Sequence, residues 1–244
     1  MTESCFIERL GRLASLSNAE KRAFSRIEGP ERVYRRSAMI RPQRDSEREA
    51  YVVNSGWLVS FVLLGDGNRQ ILRVHLPGDI VGLSCTAFSE APESLMAATD
   101  ARVVPVERCA LVKLMTEYPR MGALLFMIAQ ADQVTMHDRL ASLGRTSARA
   151  RVAALVIDTV TRLRRINDAV GKSFVFPLTQ EEIGDATGLT AVHVNRMIRS
   201  LVAEGLIHRK ANLLTIVNEA RLTELANYVD RYREIDLGAL PDPA

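Results

Sequence analysis

Residues 178–207 read LTQEEIGDATGLTAVHVNRMIRSLVAEGLI, and this stretch decides the fold. Thr179 and Glu182 have the Thr-x-x-Glu spacing of a capping box, in which each side chain accepts a hydrogen bond from the other residue's backbone N–H. A short helix is therefore predicted up to about Ala186. Gly188 suits the positive φ that lets a chain reverse after a helix, and Thr190 can cap a second helix. Two helices joined this tightly predict a helix-turn-helix. At 100° per residue the second helix buries Val194, Met197, Ile198 and Leu201. It turns Val192, Arg196 and Arg199 the other way, with His193 and Asn195 beside them. A helix in the major groove reads base edges with its N-terminal side chains, and arginine pairs bidentately with guanine. Those five residues are the candidate base-contacting set. Thr179, Gln180 and Thr190, at helix starts that favour phosphate, are the candidate backbone contacts. Downstream, LIHRKANLLTIVN (206–218) predicts two strands around a basic turn, which adds Arg209 and Lys210. The bland alternative is a structural helix pair with a solvated basic face.

The charge distribution favours a polyanionic partner for this half of the chain. Net charge over the 244 residues is only +3, yet from Arg145 to Val217 there are eleven Lys/Arg against six Asp/Glu. Hydrophobic residues make up 47% and charged residues 25%, ordinary for a folded soluble protein. The start, MTESCFIERLGRL, lacks the layout of a signal peptide, and no apolar run is long enough to span a bilayer, so a cytoplasmic location without membrane contact is expected. Cys5, Cys85 and Cys109 are far apart in sequence, which argues against a local zinc or iron–sulfur framework.

The N-terminal half has another period. After one or two short helices over 3–28, broken at Ser17-Asn18, β-rich runs recur: ERVYR, AYVVNSGWLVSFVLL, RQILRVHL and SLMAATDARVVPV. Turn signals separate them, including Gly65-Asp66-Gly67-Asn68, a hairpin signal, and together they predict a β-barrel or jelly roll. Residues 107–117 read as helical. A long helix follows from Tyr118 to Leu143, ended by Gly144, with Met121, Leu124, Leu125, Ile128, Asp132 and Thr135 near a 3.5-residue spacing. Such a seam is core packing or a dimer interface. In a symmetric dimer two Asp132 carboxylates could repel; the alternative is that Asp132 points to solvent. The predicted class is thus α+β: a sensory barrel (1–117), a dimerisation helix (118–144) and a winged helix-turn-helix domain (145–244). His75 is expected on the barrel surface or rim, Cys85 buried and inert, and Trp57 in barrel packing.

On these motifs the chain resembles the Crp/Fnr family of bacterial transcription regulators over about residues 10–225. NSGWLVSF and GNRQILRVHLPGDIVG, with Gly56, Gly67, Pro77-Gly78-Asp79 and Gly82, are similar to that family's cyclic-nucleotide-binding-like barrel. The stretch 178–207 is similar to its winged helix-turn-helix. The resemblance implies a homodimer through the long helix, a sensory barrel, promoter DNA as partner, and contact with RNA polymerase. It also points to an effector pocket at Leu83, Ser84, Cys85, Ser94 and Leu95.

Departures from the family pattern narrow the function. Members that bind cyclic AMP carry a glutamate where Leu83 stands and an Arg-Ser pair where Ser94-Leu95 stand. A phosphate with no fixed cation gains little for its desolvation, so no cyclic AMP is expected. The single N-terminal Cys5 argues against the oxygen-sensing iron–sulfur cluster. Nothing argues for heme, since His75 precedes the cassette and Ser84 lies near the ligand place; no cofactor is expected. In the recognition helix Arg196 matches the family arginine, but Val192 replaces the glutamate. Valine can touch a thymine methyl but cannot accept from cytosine, so the half-site sequence does not carry over. An enzyme using Cys85 or His75 has no triad, metal spacing or phosphate loop behind it. A sensor acting through a protein partner is the remaining alternative, and Arg196 with the basic wing favours DNA over it.

Overall fold

Ser17 Oγ accepts from the N–H of Glu20 at 3.2 Å while Glu20 Oε2 accepts from the N–H of Ser17 at 2.8 Å. This capping box starts helix α2 (Asn18–Ile27), which follows α1 (Cys5–Leu13). The computed structural model describes residues 4–240. Residue 3 of the first helical reading, and the outermost ends of the sequence-assigned domains, lie outside the described residues.

Eight strands follow: β1 (Arg32–Tyr34), β2 (Met39–Arg41), β3 (Glu49–Ser55), β4 (Leu58–Leu63), β5 (Arg69–His75), β6 (Ile80–Val81), β7 (Ser94–Ala97) and β8 (Ala101–Glu107). They form two four-stranded sheets, ordered β1-β8-β3-β6 and β2-β7-β4-β5. Strand β3 is the centre of the first: Tyr51, Val52 and Val53 are all fully buried, so both its faces are covered. Ile40, Tyr51, Val53, Leu58, Val81, Leu95, Ala97, Ala101 and Val103 from the two sheets make one apolar cluster. The Gly-Asp-Gly-Asn signal is a hairpin loop: the N–H of Leu64 donates to Asn68 O at 2.8 Å, and Gly67 has φ +84°.

Helix α3 (Arg108–Glu117) leads to α4 (Pro119–Arg145), 27 residues or roughly 40 Å long. Pro119 starts α4 where its missing N–H has no helical partner to lose. Arg120 then ties the first turn back to α2: its Nη1 meets both Glu20 carboxylate oxygens, at 3.1 and 3.2 Å, and its Nη2 donates to Ser15 O at 2.8 Å. Gly144 does not end the helix as expected. It is absent from the positive-φ glycines, and α4 runs on to Arg145. The break falls at Thr146-Ser147, where Ser147 Oγ accepts from Ala150 N–H and caps α5 (Ala148–Arg164).

The C-terminal part continues with β9 (Ser173–Val175), α6 (Gln180–Thr187), α7 (Ala191–Ala203), β10 (Ile207–Lys210), β11 (Leu213–Ile216) and α8 (Glu219–Ala226). Val152, Val156 and Val160 of α5 are buried with Ile183, Val194, Leu201 and Leu222, and α5 packs on α6, α7 and α8. The antiparallel sheet β10-β11-β9 is the wing. The chain divides into two compact units that do not follow the sequence-assigned bounds. One comprises the chain up to Val62, Leu72–Gln130 and the tail from Ile235; the other comprises Leu63–Ile71 and Ala131–Glu234. The long helix therefore contributes to both and is not a domain of its own.

Glu20 caps one helix and pairs, nearly buried, with the arginine of another. Removing one partner of such a pair leaves a buried charge uncompensated. Glu20→Ala is expected to lower unfolding stability by on the order of 3 kcal/mol, and the further change Arg120→Met to recover part of that loss in urea denaturation. An unchanged midpoint for Glu20→Ala would show that the pair does not anchor α4.

Candidate nucleic-acid interface

The helix-turn-helix is built from the capping signals upward. Thr179 N–H donates to Glu182 Oε2 at 2.7 Å, and Glu182 N–H donates to Thr179 Oγ1 at 3.1 Å. Helix α6 ends at Gly188, which is left-handed at φ +65°, and Thr190 Oγ1 accepts from His193 N–H at 3.3 Å to start α7. The capping box, the turn glycine and the second cap all stand where the sequence placed them. On α7, Val194 and Leu201 are fully buried, whereas Val192 is 82% exposed and Arg196 and Arg199 are exposed. His193 and Asn195 are half-buried at the flanks. Of the candidate backbone contacts, Thr179 and Thr190 are exposed and Gln180 is half-buried.

The electrostatics separate the two signs of charge. Glu182 is held in the capping box. Asp185 accepts from Arg69 Nε at 2.7 Å, within the same compact unit. Glu204 accepts from Ser200 Oγ at 2.9 Å and pairs with Arg149, which holds its carboxyl below the ordinary glutamate value, the Ser200 hydrogen bond contributing most. Arg196, Arg199 and Lys210 make no side-chain hydrogen bond or ion pair among the described residues. Most carboxylates of this surface are thus bound internally, while three cations face outward. A polyanion meeting it displaces water and counterions and breaks no protein contact.

Arg209 requires a correction. It is half-buried, donates from Nη2 to Leu178 O at 3.0 Å and from Nε to Ala211 O at 3.2 Å, and lies over the Phe176 ring. Burial pulls its pKa down from the ordinary value. It pins the wing to the residue before Thr179, whereas Lys210 is exposed. The sequence showed two adjacent cations on one strand, and strand alternation sends them to opposite faces.

The residues assigned to a dimer seam also sit elsewhere. Met121, Leu124, Leu125 and Ile128 are all buried within this single chain. Asp132 accepts from the Tyr232 hydroxyl at 2.5 Å, and Thr135 Oγ1 donates to Ala131 O at 2.8 Å. An amphipathic helix gives its strongest apolar stripe to its own core, and Asp132 has an internal donor in the Tyr232 hydroxyl. The other face of α4 carries Phe126, 63% exposed, Leu140, 70% exposed, and the exposed Gln130, Gln133 and His137. Those five follow a 4-3-4-3 spacing, that of a heptad stripe.

The C-terminal segment went unread in the sequence. Arg231 meets Asp138 of α4 at 2.7 and 2.9 Å, Asp230 pairs with Arg165 at the end of α5, just past its last residue, and the Arg165 guanidinium lies 4.2 Å from the Tyr232 ring centre. Alternating acids and bases after α8 were the only available signal, and charge runs of that kind are usually solvated.

In the barrel, His75 is not at the surface. It is 6% exposed, with Nε2 at 3.1 Å from Ser60 Oγ. Val74 and Leu76 are buried beside it, so alternation fails where both faces of β5 are covered. Cys85 is buried, and desolvation pushes its thiol pKa up. Trp57 is buried. Of the expected effector pocket, Leu83 and Ser84 are half-buried, Ser94 is buried and accepts from Gln43 N–H at 2.9 Å, and Leu95 belongs to the apolar cluster.

Residues 150–225 match the model of a Crp-like helix-turn-helix domain, and residues 31–118 that of a cyclic nucleotide-binding domain. The fumarate and nitrate reduction regulatory protein of Vibrio cholerae is 25% identical over 182 residues, covering 75% of this chain and 72% of the relative. The nitrogen fixation regulation protein FixK of Azorhizobium caulinodans is 28% identical over 179 residues, 73% of this chain and 71% of that one. Among solved structures, FixK2 from Bradyrhizobium japonicum superposes with a TM-score of 0.75 at 29% identity, covering 82% of this chain and 98% of its own.

The different placements of neighbouring cations have a measurable consequence. Arg209→Ala is expected to lower stability by on the order of 1–2 kcal/mol, because two backbone carbonyls lose a charged donor. Arg196→Ala and Lys210→Ala should stay within about 0.5 kcal/mol, as surface changes do. Equal melting of all three variants in calorimetry would remove the structural role given to Arg209.

Proposed function

The chain belongs to the Crp/Fnr family of transcription regulators, which are not enzymes, and from that premise we propose that it acts as a homodimer on a near-palindromic promoter site. The observation that carries this reading is the set of unpaired, outward cations Arg196, Arg199 and Lys210 on a surface whose carboxylates are mostly bound internally. Helix α7 enters the major groove with Val192, Asn195, Arg196 and Arg199 toward the bases. Val192 suits a thymine methyl and Arg196 a guanine. The wing follows the sugar–phosphate backbone with Lys210, and Thr179, Gln180 and Thr190 meet phosphates at the helix starts.

The second copy meets the outer stripe of α4. Phe126 and Leu140 supply apolar contact, and Gln130, Gln133 and His137 supply polar register between them. Two α7 helices related by the resulting two-fold axis reach successive major grooves, roughly 34 Å apart. Promoter binding places the protein in the cytoplasm and next to RNA polymerase. No helix among the described residues is long and apolar enough to cross a membrane. The barrel is read as one that does not take cyclic AMP, because apolar Leu83 and the buried Ser94 stand where a ribose acid and a phosphate base would be needed. We assign it no resident cofactor.

Two sets of variants test this. Phe126→Glu and Leu140→Glu place charge in the outer stripe and should give folded monomers in sedimentation, whereas a persistent dimer would move the interface elsewhere. In gel shifts at fixed salt, Arg196→Ala should cost on the order of 1–3 kcal/mol per half-site and relax the preference at one base pair. Lys210→Ala should weaken specific and random DNA alike and make the salt dependence shallower. If Arg196→Ala weakens both kinds of DNA equally, Arg196 does not read a base.

A further inference from the structure

Only Thr146 and Ser147 separate α4 from α5. A link this short acts as a hinge unless other contacts brace it. Helix α5 packs on α6, α7 and α8, and α4 is not among its close neighbours. The second half of α4 is instead held from the side by two ties. In the first, Arg139 Nη2 donates to Ala186 O of α6 at 2.6 Å and to Ile71 O at 2.6 Å. The second is the segment after α8.

Asn227, left-handed at φ +47°, ends α8 and turns the chain. The segment that follows crosses from α5 to α4. Tyr228 donates to Asp158 Oδ1 of α5 at 3.4 Å, and Asp230 pairs with Arg165, just past the last residue of α5. The Arg165 guanidinium lies 4.2 Å from the Tyr232 ring centre, and the hydroxyl of that ring donates to Asp132 of α4 at 2.5 Å. Tyr232 thus spans the two helices with one side chain. Arg231 completes the crossing with a side-on pair of hydrogen bonds to Asp138 of α4, 2.7 and 2.9 Å long. A lone exposed ion pair contributes little. Here a largely buried ion pair, a bidentate pair and a cation–π contact sit on three consecutive residues, so ordering one side chain orders the others. At about 100° per residue, Asp132 and Asp138 both lie more than about 90° from the middle of the Phe126–Leu140 stripe. The crossing therefore leaves that stripe to a second copy. All of these contacts fall within one compact unit.

We propose that Asp230, Arg231 and Tyr232 are positioning residues for DNA reading: they brace the α4–α5 hinge and thereby set the half-site spacing that the dimer accepts. The inference rests on the DNA-binding reading above. Helix α7 packs on α5 and moves with it, so the angle at the hinge decides where α7 points relative to α4. Two reading helices on loose hinges reach half-sites at several separations. On braced hinges they accept one, because each inserted base pair turns a half-site by roughly 35° about the DNA axis.

The full-length protein and its double variant Arg231→Gln, Tyr232→Phe would be compared on three duplexes. These are the inverted repeat that the wild type selects from a random library, the same repeat with two base pairs inserted between its halves, and a single half-site. The wild type should bind the lengthened repeat at least about tenfold more weakly than the selected one. The variant should keep a preference of about threefold or less, and should bind the single half-site as the wild type does. Hydrogen exchange without DNA should become at least about tenfold faster at the amides of residues 143–150 in the variant and stay unchanged over 194–203 of α7. A wild type indifferent to the insertion overturns the proposal, as does a variant whose spacing preference or hinge exchange matches the wild type's. Equal weakening on the single half-site and the repeat, or faster exchange throughout α7, also overturns it, since the segment then only stabilises the domain. If the double variant fails to fold, Tyr232→Phe, which keeps the ring on Arg165, decides by the same readouts. Should the wild type select no two-fold site, the DNA reading fails, and exchange at the hinge still decides the brace.

Discussion

Helix α6 and the chain entering α7 pass so closely at Gly184 that the carbonyl of Leu189 occupies the space a Cβ would need. This contact sets the angle between the two helices. It lets Leu189 N–H donate to Gly184 O at 3.0 Å, with the Gly188 N–H donating to the same oxygen. With the angle set, Val194 and Leu201 turn into the core, and Val192, Arg196 and Arg199 have no direction left but outward. A side chain at Gly184 would spread the helices and rotate those cations together. The wing depends on the same geometry, because Arg209 fastens it to Leu178 O, at the entrance to α6.

The long helix shows how two demands share one element. Its inner stripe from Met121 to Ala131 is buried by the chain's own core, and Arg120 and Glu20 hold its first turn against α2. Further along, Asp132 and Asp138 are taken by Tyr232 and Arg231 of the C-terminal segment. The inner face and these carboxylates are thus occupied, while Phe126, Val134 and Leu140 stay exposed. In the proposed dimer, Gln130, Gln133 and His137 would cost contact area and fix register, as polar seam positions do.

Local chemistry was legible in the sequence, and choices between equivalent partners were not. Capping residues and turn glycines act over three or four residues, so Thr179, Glu182, Gly188 and Thr190 could be placed without tertiary information. The Gly-Asp-Gly-Asn loop was read for the same reason. The seam on α4 was misplaced because a 3.5-residue period marks a buried stripe and does not say what buries it. Two stripes on opposite faces carry the same period, and the more apolar one belongs to the chain itself. Strands β2 and β6, of three and two residues, are too short for any alternation to register. His75 was misread because alternation assumes one solvated face, and β5 ends with neither.

Selection of bound duplexes from a random-sequence library by the full-length protein tests the central claim most directly. Two α7 helices presented by a symmetric dimer should recover an inverted repeat with half-site centres about one helical turn apart, with a guanine in each half-site whose enrichment disappears in Arg196→Ala. Recovery of unrelated sequences with no two-fold symmetry, or no enrichment over the starting library, would contradict a dimeric DNA reader built on the outward face of α7.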